Sequence, residues 1–210
     1  MVFPPFFCII LKMDKVLYSS YQEFNEHKAK CTMCSIGSVY NKVVCSDGYK
    51  QAKVLIIGEA PGKDEIESGV PFVGKAGKLL RKVLNEYGYR KNNSLITNTI
   101  PCRPQDNQFP KEELLVRRCM DEWLLTEISL VSPEYMLLIG ATPMKYLLKR
   151  TGITTLRGQW FKFDHINCMP TYHPSYVLRK EHMKEGLQIM ADFKNDIKTV
   201  AKKAGFITGE

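Results

Sequence analysis

The chain has no uninterrupted apolar run long enough to cross a bilayer. Its most apolar stretch lies within residues 1–12 and amounts to roughly ten residues, too short for a span, and no basic leader precedes it as in a secretory signal. Neither a membrane anchor nor export is expected. The sequence also lacks internal repeats and low-complexity linkers, which excludes a solenoid or a string of modules. Acidic residues are comparatively few: 22 Asp and Glu face 30 Lys and Arg, for a formal net charge of +8. That balance suits a polyanionic partner such as nucleic acid, although lysine-rich proteins of other kinds share it. Seven cysteines, an odd number without a secretory signal, argue against a disulfide framework. Metal ligation or buried thiols, in a reducing compartment such as the cytoplasm, fit better.

What is present alternates between strand-like and helix-like patterns over 210 residues, a length suited to one domain with its own core. Residues 1–12 are read as an upstream-start extension or disordered tail, with a core-packed strand as the rival, and 13–210 as one domain. Tyr21 to Lys30 has a helical pattern. Lys53 to Gly58 is a short, β-branched apolar run, as expected of a strand buried on both faces; Ser94 to Thr99 again reads as a strand, and Tyr135 to Ile139 as another buried strand. Between them, Ala76 to Tyr87 places Leu79, Leu80, Val83 and Leu84 on one helical side, and Pro110 to Ser129 spaces Leu115, Cys119 and Trp123 four apart. Ala141 to Lys149 starts a further helix. Trp160 to Phe163 and Asn167 to Thr171 form a last strand pair, and Met183 to Lys202 a closing amphipathic helix. The fold expected is a three-layer α/β sandwich: a central four-stranded parallel sheet with helices on both faces and sites at the strand C-terminal ends.

Four Gly/Pro-rich segments fall at those ends: Gly58-Glu-Ala-Pro-Gly62, Gly69-Val-Pro-Phe-Val-Gly74, Thr97-Asn-Thr-Ile-Pro-Cys-Arg-Pro104 and Thr171-Tyr-His-Pro-Ser-Tyr-Val-Leu-Arg179. Each alone is an ordinary turn. Together with GAT, LRGQW and the KAGKLL continuation of the second segment, in this order, they resemble the family-four uracil-DNA glycosylases from about Cys31 to Lys194. The resemblance implies an enzyme that removes uracil from single- or double-stranded DNA as a monomer, and a [4Fe–4S] cluster held by four cysteines.

Such an enzyme must extrude the base, pair with its polar edge and stack on its face. Asn98 offers one donor and one acceptor, matching O4 and N3–H of uracil and not cytosine. Phe72, in a Pro/Gly loop, supplies a stacking face. His173 can donate to O2 as charge builds on the departing base. The first loop has Ala60 where the family-one enzymes carry an acidic residue. Glu59 and Glu65 are therefore the candidates for positioning water or stabilising an oxocarbenium ion, with the backbone amides of Ala60 and Gly62 facing the pocket. Gly62 stands where family one has a tyrosine, which leaves the thymine-excluding group unassigned. Lys75, Arg103, Arg157, Ser175, Tyr176 and Arg179 flank the pocket loops and are the candidates for DNA contacts, with Tyr176 or Val177 as the residue that wedges into the duplex.

Cys31-X2-Cys34 alone admits zinc, a redox pair or nothing, and Cys119 on a helix face could be plain packing. The resemblance instead places Cys31, Cys34, Cys102 and Cys119 around the cluster. Cys45 is the substitute ligand and Cys168 a core residue. Gln108 stands where the family carries arginine. Competing readings are a non-catalytic uracil- or DNA-binding protein on the same fold, a generic zinc protein, and the uracil-crosslinking branch of the superfamily, whose basic insertion after the Thr97-Asn98 strand is absent.

Overall fold

The structure, a computed structural model, describes residues 18–208 except 39 and 41. The expected extension at residues 1–12, with Cys8, lies outside the described residues. A first helix, α1 (Tyr21–Ala29), is capped by Ser20, whose hydroxyl accepts from the Glu23 amide at 3.1 Å. A single turn, α2 (Ser35–Ser38), and a two-residue strand, β1 (Asp47–Gly48), follow. The alternating body then runs β2 (Val54–Gly58), α3 (Lys63–Ser68), α4 (Lys75–Glu86), β3 (Ser94–Asn98), α5 (Glu113–Cys119), α6 (Leu125–Val131) and β4 (Tyr135–Ile139). Residues Met120–Leu124 join α5 to α6 through a wider π-type turn. The chain closes with α7 (Ala141–Leu148), α8 (Ile153–Leu156), β5 (Phe161–Phe163), β6 (Ile166–Thr171), α9 (Pro174–Lys180) and α10 (Gly186–Ala204).

The sheet order is β1-β3-β2-β4-β6-β5. The four central strands are parallel, as expected, and β1 and β5 add one short antiparallel strand at each edge. Side-chain alternation along the strands divides the core into two layers. Leu55, Ile57, Met136 and Leu138 point to the layer containing Phe24, Trp123 and Ile128, whereas Val54, Ile56, Leu137 and Ile139 point to the layer with Leu80, Val83, Phe193 and Ile197. Helices therefore cover both faces, and the apolar strand runs are explained by burial on both sides. The parallel strands all end on one side of the molecule, where the loops after β2, β3, β4 and β6 meet.

Candidate active site and thiol cavity

Asn98 at the end of β3, Phe72 in the α3–α4 connection and His173 at the start of α9 come together there. Asn98 is the last residue of β3 and is buried. Gly58, its register partner at the end of β2, is the reason Asn98 and Phe72 can meet: a Cβ at Gly58 would stand 2.4 Å from the Phe72 ring and 2.5 Å from Asn98 Oδ1. The Phe72 ring lies 6.4 Å from the His173 ring, tilted by 36°. One amide side chain, one aromatic ring and one imidazole are thus neighbours at the strand ends, Asn98 and Phe72 across Gly58 and Phe72 beside His173.

His173 N-caps α9, with Pro174 at the first helical position, where its missing N–H costs nothing. The Ser175 amide, which can only donate, points at His173 Nδ1 from 3.2 Å. Nδ1 must therefore carry the lone pair, and the neutral ring bears its proton on Nε2. The Ser175 hydroxyl, 2.7 Å from Nδ1, also donates to it while accepting from Arg179 Nη1 at 3.2 Å. Burial, with the positive charge of Arg179 second, pushes the imidazole down from 6.5 to about 4, so the ring is neutral at physiological pH.

The two loop carboxylates differ. Glu65 is committed to backbone: Oε2 accepts from the Gly62 amide at 3.0 Å, and Oε1 from the Val73 and Gly74 amides at 2.8 and 2.9 Å. It staples the first loop to the second, and the Gly62 amide expected to face the pocket is used up in doing so. Glu59 is half-buried and accepts from the Thr142 hydroxyl at the start of α7. Ala60, beside it, packs against the α1 and α6 layer.

The basic candidates also separate. Arg179 and Lys75 are exposed, on α9 and at the start of α4. Arg103 donates to Asn107 Oδ1 at 3.0 Å and stacks on Tyr40, 4.7 Å from the ring centre. Arg157 is different. Its guanidinium is paired with Asp196 and with Asp192 at 3.3 Å, lies over the Tyr172 ring, and is only 16% exposed. Asp196 in turn accepts from the Thr171 hydroxyl at 2.7 Å, so this group braces the end of β6 rather than facing solvent. Of the two wedge candidates, Val177 is fully buried in the α4 and α10 layer, whereas Tyr176 is half-buried against Tyr172 at 5.1 Å. The segment expected as a loop is the start of a helix, which turns Val177 inward.

On the opposite face of the sheet, Cys31, Cys34, Cys102 and Cys119 line one narrow cavity walled by Ile100 and Trp123. Cys45 and Cys168 are not among its lining residues: Cys45 Sγ lies 3.9 Å from the Asn25 carbonyl, and Cys168 is fully buried in β6. Burial, reinforced by the neighbouring Cys31 and Cys34, pushes the Cys102 thiol up to about 12. Trp123 Nε1, in the same wall, is a buried donor without a partner among the described residues. Four thiols around one otherwise mostly apolar cavity, with the Arg118 cation in its lining and an unused N–H beside them, fit a sulfur-liganded anionic group. Among the described residues no three His, Cys, Asp or Glu side chains converge on a single ion, whereas a cluster takes one thiolate per iron.

Sequence reasoning missed a polar hub between the two sites. Glu127 on α6 is completely buried and accepts from Tyr21, Lys28, Ser46 and Thr97, with Lys28 Nζ at 2.9 Å and the Thr97 hydroxyl at 2.9 Å. Burial alone would raise its carboxyl, but Lys28 and the hydroxyl donors outweigh burial and hold it low. The available signal was a charge on an apolar stripe: Lys28 falls four residues after Phe24, and Glu127 falls between Trp123 and Val131.

The comparison with known proteins completes the picture. The family model of the uracil DNA glycosylase superfamily matches residues 45–198. The chain belongs to that superfamily. It is 32% identical over 186 residues to a type-4 uracil-DNA glycosylase of Thermotoga maritima, covering 86% of this chain and 94% of that one. Similar type-4 uracil-DNA glycosylases come from Sulfurisphaera tokodaii, at 32% identity over 83% of this chain and 82% of the relative, and from Pyrobaculum aerophilum, at 31% over 80% and 89%. Membership of the type-4 branch follows from these identities and their coverage.

Proposed function

We propose that the chain excises uracil from DNA by hydrolysing the N-glycosidic bond, leaving an abasic site. The observation that carries this reading is the convergence of Asn98, Phe72 and a neutral His173 at one end of the sheet. Asn98 would read the N3–H and O4 edge, and Phe72 would stack on the base. With Nδ1 held by Ser175, His173 has only Nε2–H to offer the pocket, a donor suited to uracil O2. Charge at O2 is small in bound substrate and large in the transition state, so this donor acts on the chemical step. Glu59, whose partner is a neutral hydroxyl, is the carboxylate available to position water or stabilise the sugar cation. Glu65 serves the loop instead.

Cys31, Cys34, Cys102 and Cys119 would hold a [4Fe–4S] cluster, which would cross-link the segments that carry them. Arg179, Lys75, Arg103 and Ser175 are the proposed phosphate contacts, with Tyr176 at the point where the duplex is parted. Arg157 is left out of that set because its charge is already paired. No helix among the described residues is long and apolar enough to cross a membrane. From the free cysteines, which suit a reducing compartment, we place the enzyme in the cytoplasm, and from the family resemblance we take it as a monomer.

Incubation with a uracil-containing oligonucleotide, with and without alkali, tests the activity. Cleavage only after alkali is expected of a water-using, monofunctional enzyme, and breakage without alkali would contradict it. Replacing His173 by alanine should lower the single-turnover rate by roughly 10² or more, the scale of one lost donor to a developing anion, with a much smaller change in DNA affinity. A variant reacting at the wild-type rate but binding poorly would remove His173 from the chemistry.

A further inference from the structure

The backbone of Phe72 occupies a conformation that its own side chain disfavours. Its φ is 56°, in the left-handed region where a Cβ crowds the chain, and such a residue persists only where its surroundings over-determine it. Three contacts do so. Helix α4 lies directly against the residue at Gly77, where a Cβ would fall 2.1 Å from the Phe72 carbonyl carbon. Glu65 takes the two amides that follow. The two carbonyls are taken by Arg81 of α4: Nη2 donates to Pro71 O at 2.6 Å and Nε to Phe72 O at 2.9 Å. Arg81 is anchored from its far side by Asp47 of β1, whose Oδ2 accepts from Nη2 at 2.8 Å and whose Oδ1 pairs with Lys91 at 2.8 Å. The guanidinium fork thus spans an edge strand and the strained residue whose ring meets Asn98.

We propose that Arg81 is a positioning residue for uracil recognition: it fastens the Pro71 and Phe72 carbonyls, so that the Phe72 ring is set against Asn98 before the base arrives. A lysine could keep the pair with Asp47, but a single ammonium lacks the fixed fork that serves both carbonyls. The proposal rests on Phe72 being the stacking face.

Free uracil is the appropriate probe, because it has no phosphates and reports on the pocket alone. Its inhibition constant, the affinity for abasic-site DNA and the melting temperature would be measured for the full chain, for Arg81→Met, Arg81→Lys and Phe72→Ala, and for the Phe72→Ala/Arg81→Met double variant. Arg81→Met should weaken uracil inhibition on the order of tenfold, the scale of withdrawing a charged donor, and Arg81→Lys should fall between it and the wild type. Abasic-DNA affinity should stay unchanged. In the Phe72→Ala background, Arg81→Met should add nothing, because its effect runs through that ring. If Arg81→Met melts too early to assay, Arg81→Lys decides by the same measurements. Normal uracil inhibition in a folded Arg81 variant, or a loss undiminished in the Phe72→Ala background, would overturn the clamp alone. Normal inhibition in Phe72→Ala would overturn the stacking role beneath it.

Discussion

At the scale of single residues, His173 is an imidazole stripped of its usual basicity. With its proton affinity lowered to about 4 by burial and then by Arg179, the neutral form fills the whole range above that value. Single-turnover excision should therefore show no inflection near pH 6.5 and should change only as the pH approaches 4. An NMR titration of the ring is the direct check, and a midpoint between 6 and 7 would contradict the assignment. The same shift acts on stability. Between roughly 4 and 6.5 the unfolded chain binds a proton that the fold refuses, so acidification through that window favours unfolding, and above it the residue contributes nothing. The segments carrying Asn98, Phe72 and His173 were legible in the sequence only together, through the order in which they resemble the family-four enzymes, since each alone is an ordinary turn. Their supporting groups were not. Arg157 meets its partner Asp196 39 positions along the chain, and Arg81 meets Asp47 34 positions back, distances over which local pattern carries no information.

Among the elements, β2 and β4 were legible because burial on both faces leaves a continuous apolar run, β3 and β6 because short apolar stretches run into turn-forming residues, and α4 and α10 because one side of each is apolar. The misses are short or polar. Helix α3 buries none of its six residues, and β1 has only two. Helix α9 is masked in the sequence by a first turn that opens on His-Pro, although proline is well suited to that position. The consequence falls on DNA contacts, since α9 turns Val177 into the core and leaves Arg179 in its exposed last turn. Arg179→Ala should reduce the slope of log affinity against log salt by about one, as for a single lost phosphate contact. Arg157→Ala should leave that slope alone and lower the melting temperature, because it strands two partly or fully buried carboxylates. Filter binding across a salt series separates the two, and a flattened slope for Arg157→Ala would return it to the interface.

For the molecule as a whole, the four cavity thiols come from the α1–α2 connection, the loop after β3 and the end of α5, so a cluster would tie together segments distant in sequence. Purified protein should be brown and carry about four irons per chain. Cys102→Ala should lose iron and colour and melt earlier than Cys168→Ala, which removes only a core sulfur. Equal losses from the two would contradict the ligand set. The sheet that carries both sites ends on either side in a strand of two or three residues, running against its neighbours. So short a margin offers an approaching chain almost no row of free amides and carbonyls to zip onto, and Lys162 at the middle of β5 places a charge there. The sheet is thereby built against edge-to-edge self-adhesion and amyloid-like stacking.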